Sequence, residues 1–452
     1  MPEKRNRNFR PVAGLLLLLI AAASLLLFYG RTWQSEMVMA SRDALRRPAG
    51  APQFVSIEPL PPADGEMCQL VPASASALLA EALQQEEESA TAASGAAKGA
   101  SAVGNADRKP ARTIRDTFPT YSAIALNLQK DEVLVQDENL FGIKIFNRLD
   151  NTPPKAAFTE PKRSIAGGET TKMQFNCGLY VDPMTGDIYS VTNDTINELT
   201  VFPASASGEV LPKRSLRTPH GTYGISVDED AQEMYLTVQH DNSVVVYPKE
   251  AKDRDKPIRT LEGDQTQLAD PHGVAVDFKN NLMFVTNHGN GIVQALKAGK
   301  FTPPSITVYP LKASGDTAPI RVIQGPKTRM NWPASLWVDS ERGELYVAND
   351  ADDSVVVFKT TDSGDVAPQR VIRGPKSHVK NPTGVYLDSK HDELWVSNMG
   401  NHSATVYNRT ANGDTAPLRI IRSAPLGKLA LAIGNPGAVA YDSKRDEILA
   451  PN

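Results

Sequence analysis

A chain of 452 residues with 41% hydrophobic and 22% charged residues can bury a sizeable core, which excludes wholesale disorder. Its 48 Lys and Arg against 52 Asp and Glu leave a formal charge of −4, so composition offers no electrostatic footprint for nucleic acid. Two cysteines, Cys68 and Cys177, exclude a disulfide-dense scaffold and an all-cysteine zinc site.

Residues 1–10 form a basic tail carrying Lys4, Arg5, Arg7 and Arg10, and residues 11–29, PVAGLLLLLIAAASLLLFY, carry no charge. At 1.5 Å per residue such a helix is about 28 Å long, close to the ~30 Å thickness of a bilayer's hydrocarbon core. The expectation is a single transmembrane signal-anchor with a cytoplasmic tail, which places the rest of the chain in the periplasm or outside. Cleavage near Val38-Met39-Ala40, giving a secreted protein, is the alternative. Residues 30–107 are rich in Ala, Pro, Ser and Glu and read as a disordered tether.

From residue 108 to residue 452 one pattern returns every 46–62 residues, a period that signals a propeller when each copy carries several short strands. The cleanest copy reads NPTGVYLD (381–388), ELWVSN (393–398), ATVY (404–407) and GDTAPLRIIR (413–422). These runs are rich in Val, Ile, Tyr or Trp and bounded by Gly, Pro, Asn or Asp, which predicts strands. The residue ending the first run recurs at Asn127, Asp182, Asp228, Asp277, Asp339, Asp388 and Asp442. The expected fold is therefore all-β, a propeller of four-stranded blades with seven blades, six being the competing count. PARTIR (110–115) matches PQRVIR (368–373), whereas the last copy stops after NPGAVAYD (435–442) and EILAPN (447–452). The amino-terminal strand is accordingly expected to complete the blade that the last two strands begin, with FVSI (54–57) a candidate for its third strand.

The succession P-x-G-V-x-V-D, L-Y-V-x-N and G-D-x-x-P-x-R-x-I resembles bacterial NHL-repeat-type β-propellers over about residues 110–452. The resemblance implies a fold more than a function, because propellers host binding platforms as well as metal-dependent lyases and lactonases. Peptidylamidoglycolate lyases, on a similar fold, hold a histidine-ligated metal at the axis with ligands from blades spread around the ring. Here the histidines fall on two neighbouring blades.

In this architecture the loops entering the first strand and leaving the second open together near the axis. His220, His240, His272 and His288 break the repeat and are expected there, in blades three and four. Converging imidazoles with an open position make a zinc-type centre, while exposed turn histidines are the plainer reading. Calcium, held by Asn287 and Asp137 with Glu138 or Asp350 as in gluconolactonase-type propellers, is the other candidate ion. Asn287, Asn349 and Asn398 end second strands, Tyr223 follows the start of a first strand and Trp332 precedes one; these five form the candidate ligand or partner surface. The repeated Asn also fits turn closure by side-chain to backbone hydrogen bonds. An insertion at 288–305 in the fourth blade is a candidate partner loop. Cys68 and Cys177 make up the one disulfide an oxidising compartment could form within the chain. Hydrolytic motifs such as G-x-S-x-G and H-E-x-x-H are absent.

These readings converge on a membrane-tethered extracytoplasmic propeller acting as a non-catalytic binding or assembly platform. Its expected partners are the membrane, through residues 11–29, and a protein or small molecule at the propeller end, without nucleic acid. A metal-dependent lyase or lactonase with its site at that end is the alternative.

Overall fold

The computed structural model describes residues 109–422 apart from 117–120, 139, 194 and 294–297, together with the strands Ala440–Asp442 and Glu447–Leu449. The apolar stretch 11–29, the tether with Cys68, and residues 54–57 lie outside the described residues. Among the described residues no helix is long and apolar enough to cross a membrane.

Six four-stranded antiparallel sheets follow one another along the chain. Their first strands are Tyr121–Asn127, Asn176–Val181, Thr222–Asp228, Pro271–Asp277, Pro333–Asp339 and Pro382–Asp388. These six strands pack against one another in cyclic order, the sixth returning to the first, so the ring closes at six blades rather than the expected seven. The reason lies in packing. Ile124, Leu126 and Phe146 of blade one share a core cluster with Trp395, Val406 and Ile421 of blade six, which leaves no gap for another sheet. The pair Ala440–Asp442 and Glu447–Leu449, read from sequence as the start of a seventh blade, is a separate two-stranded sheet.

The glycine of P-x-G-V is required by the close approach of neighbouring first strands. A Cβ on Gly224 would lie 2.3 Å from the His272 carbonyl oxygen, and one on Gly273 2.6 Å from that of Ala334. The repeated Asp after the first strand accepts from backbone N–H groups two or three residues on, as Asp182 does from Met184 and Thr185 and Asp388 from Lys390 and His391.

The G-D-x-x-P-x-R-x-I run does two jobs. Its Arg forks onto the Glu that opens the second strand of its own blade, as in Arg163–Glu132, Arg259–Glu233, Arg370–Glu344 and Arg419–Glu393. Three of these guanidinium groups also lie 5.1–5.9 Å from the ring centre of Tyr235, Tyr346 or Trp395. The Gly-Asp pair is a staple between blades. Gly315, Gly364 and Gly413, and Gly208 of the corresponding Gly-Glu pair, each bridge in parallel to the outermost strand of the preceding blade. Asp316, Asp365 and Asp414 accept from the backbone of Gln265, Lys327 and Lys376, just beyond those strands.

Blade six is the last along the chain, and no Gly-Asp pair of a following copy staples its edge. Arg112–Arg115 fills that place, pairing in parallel with Arg419–Arg422 as a fifth strand and burying Ile114. The amino-terminal strand thus clasps the ring as the sequence suggested, but on a complete sixth blade rather than by completing a seventh.

Candidate functional site at one end of the ring

In every blade the first strand begins with a β-bulge, a register slip against the second strand at Tyr121/Ala123, Asn176/Gly178, Thr222/Ile225, Pro271/Val274, Pro333/Leu336 and Pro382/Gly384. Bulges re-aim side chains and take backbone groups out of the ladder. A carbonyl at or beside the bulge then accepts from a side chain of the preceding blade: Ser122 Oγ donates to the Asn176 oxygen at 2.7 Å, Thr286 Oγ1 to that of Ala334 at 2.8 Å, and Thr383 Oγ1 to that of Tyr121 at 3.3 Å across the closure. Thr237 makes the same bond to His272. Cys177 belongs to this belt: it is buried, with Sγ 3.4 Å from the Tyr223 carbonyl oxygen.

The residue just before the first strand is left-handed in blades two to six: Phe175, Gly221, Asp270, Trp332 and Asn381, with φ of 47°, 78°, 55°, 53° and 41°. A bulky side chain there costs on the order of 1–3 kcal/mol, and such strain concentrates at functional positions. Phe175 and Trp332 are moreover 40% and 48% exposed, so neither is recovering that cost by burial in the core.

From Trp332 a line of rings runs inward. Its indole stacks on His288 at 5.3 Å between ring centres, His288 on His272 at 3.3 Å, and His272 meets Tyr223 at 4.5 Å. His272 and His288 are buried, and loss of hydration drives the pKa of His272 down to about 3 and that of His288 well below its ordinary value. Both imidazoles are neutral at physiological pH. Asp270 lies beneath them, with Oδ1 3.5 Å from His272 Nδ1 and Oδ2 3.9 Å from His288 Nδ1. Burial raises its pKa to about 6, against the lowering effect of a hydrogen bond to Asn290 and the charge of His240. Asp350, at the end of the second strand of blade five, is likewise raised by burial to about 6. The Tyr223 hydroxyl is pushed well above its usual range by burial and then by the charges of Cys177, Glu138, Asp350 and Asp270.

The four histidines divide into two pairs. His272 and His288 converge with Asp270, while His220 and His240 face each other at 4.7 Å, with His220 Nδ1 3.0 Å from Asn197 Oδ1. Asn287, Asn349 and Asn398 have no exposed surface: their Oδ1 atoms accept from the backbone N–H of Ala269, Asn331 and Lys380, tying each second strand to the loop before the first. They are parts of the frame. The 288–305 insertion supplies a hairpin, Asn290–Val293 with Ala298–Phe301, whose first residue reaches Asp270. Asp270 was missed from the sequence, although an Asp where the neighbouring copies carry Gly and Trp, two residues before His272, is itself a break in the repeat.

No family model matches this chain, and no curated protein matches it.

Proposed function

We propose that the propeller is a docking platform that holds a partner or small molecule against the end of the ring where the first strands begin, without converting it. The observation that carries the reading is Trp332, a half-exposed indole in left-handed backbone, seated on a buried stack of imidazoles and a phenol. A flat apolar face beside carboxylates and amides suits a ligand with an apolar face and polar edges, such as a sugar ring or an aromatic peptide side chain. With residues 11–29 as an anchor, the ring would present this face on the extracytoplasmic side of a membrane.

A photo-crosslinking residue placed at 332 in the intact chain tests the reading, with one at Phe278 as control. Phe278 follows the first strand of blade four, at the opposite end of the ring, and is 53% exposed. Specific adducts from 332 and none from 278 are expected; no adduct from 332, or the same adducts from both, overturns the proposal. A metal-dependent lyase or lactonase is the second reading, favoured by the convergence of Asp270, His272 and His288.

A further inference from the structure

We propose that Asp270, His272 and His288 form a binding site for one first-row divalent transition-metal ion, of which zinc fits the donors best. The inference does not rest on the docking reading, since Trp332 can receive a partner with or without an ion beneath it. One ligand atom from each of the three residues lies within 4.8 Å of the others. Two imidazoles and a carboxylate suit zinc and its neighbours, whereas calcium prefers six to eight oxygens. Three protein ligands leave a position open for a ligand's own oxygen or nitrogen.

A second observation points to the ion independently. His288 is 6% exposed and its Nε2 has no hydrogen-bond partner among the described residues. Leaving a buried polar atom unsatisfied costs about 1–3 kcal/mol, and nothing in the frame requires histidine here, since the corresponding residues of blades five and six are Asp350 and Met399.

Binding would change the geometry in one definite way. An ion lies in the plane of each imidazole that holds it, so two rings stacked 18° from parallel cannot both reach it. His288 is the ring that turns. His272 is held from both sides, with Nδ1 3.0 Å from the Asp270 carbonyl oxygen and Nε2 on the Gln239 amide, whereas the turning ring gives up no hydrogen bond at Nε2. When His272 ligates through Nδ1, that nitrogen gives up its bond to the Asp270 carbonyl oxygen, its proton moves to Nε2, and the Gln239 amide turns its oxygen from Asn193 Nδ2, 2.7 Å away, toward Nε2, the outer-shell bond that ligating histidines make. Because His288 carries the Trp332 indole, metal entry breaks that stack and is expected to change tryptophan emission.

The test uses the intact purified chain, stripped with chelator and titrated with Co²⁺ and then Zn²⁺. Expected are one equivalent of Co²⁺ with visible d–d bands, displacement by Zn²⁺, and an emission change that Trp332→Phe abolishes while the bands remain. His272→Ala, His288→Ala and Asp270→Asn should each weaken binding about tenfold or more, with His220→Ala unchanged. Absence of bound Co²⁺ overturns the proposal, as does undiminished binding in folded His288→Ala. Should the histidine variants fail to fold, the more exposed Asp270 decides: folded Asp270→Asn that binds Co²⁺ as the parent does overturns it too.

Discussion

Residues that break a repeat report on function, and residues that keep it report on the frame. Asp350 breaks it: the residue is half-buried beside Asp353, and its pKa of about 6 means that ionisation at neutral pH works against folding. The folded chain therefore binds this proton more tightly than the unfolded chain, whose Asp titrates near 3.9. The penalty is absent below about pH 4, grows as pH rises and is complete above about pH 6. Asp350→Asn is expected to raise stability at pH 7 by about 2 kcal/mol and to make no difference at pH 3.5, read as the shift in urea midpoint at the two pH values. An equal shift at both would locate the effect in something other than ionisation. The residue scale is also where the sequence was most legible in kind and least in detail. His272 and His288 stood out because their repeat-mates in blades five and six are Ala334 and Thr383, and Asp350 and Met399, but that they stack while His220 and His240 face each other depends on blade rotation, which no spacing encodes. Asn287, Asn349 and Asn398 looked alike as a surface or as a turn device, and only the burial of their amides separates the two.

At the scale of the element, strands were legible because Val, Ile, Tyr and Trp alternate with turn residues, whereas what covers a strand's edge was not. Parallel bridges from Gly208, Asp253, Gly315, Gly364 and Gly413 cover the outer edges of blades one to five, and Arg112–Arg115 covers that of blade six. An uncovered edge offers unpaired N–H and C=O groups to other chains. Within that strand, Ile114 is 4% exposed and packs with Val406 and Ile421, so it anchors the clasp. Ile114→Ala is expected to cost about 2–4 kcal/mol and to lower the melting temperature, while Arg112→Ala, whose side chain is only half-buried, changes it little. Differential scanning calorimetry of both variants checks this; equal effects would mean that the backbone ladder alone holds the clasp.

For the whole molecule the number of blades depends on how tightly neighbouring sheets wedge together, a sum of side-chain volumes around the ring that repeat counting cannot supply. Seven first-strand signals occur, yet six sheets close, because bulge carbonyls are handed from blade to blade and the Thr383–Tyr121 bond brings the last hand-over back to the first blade. A closed ring melts as one unit, since opening any contact between blades exposes two apolar faces at once. The strands Ala440–Asp442 and Glu447–Leu449 stand outside that circuit. A chain stopped before Ala440 is therefore expected to keep a single transition within about two degrees of the full-length protein, a change that corresponds to about 1.5 kcal/mol at this size. In a seven-bladed ring the same truncation would remove the inner strands of a blade and expose the facing sheets on both sides. Loss of the cooperative transition on truncation would return the count to seven, and its retention would leave the last copy outside the ring.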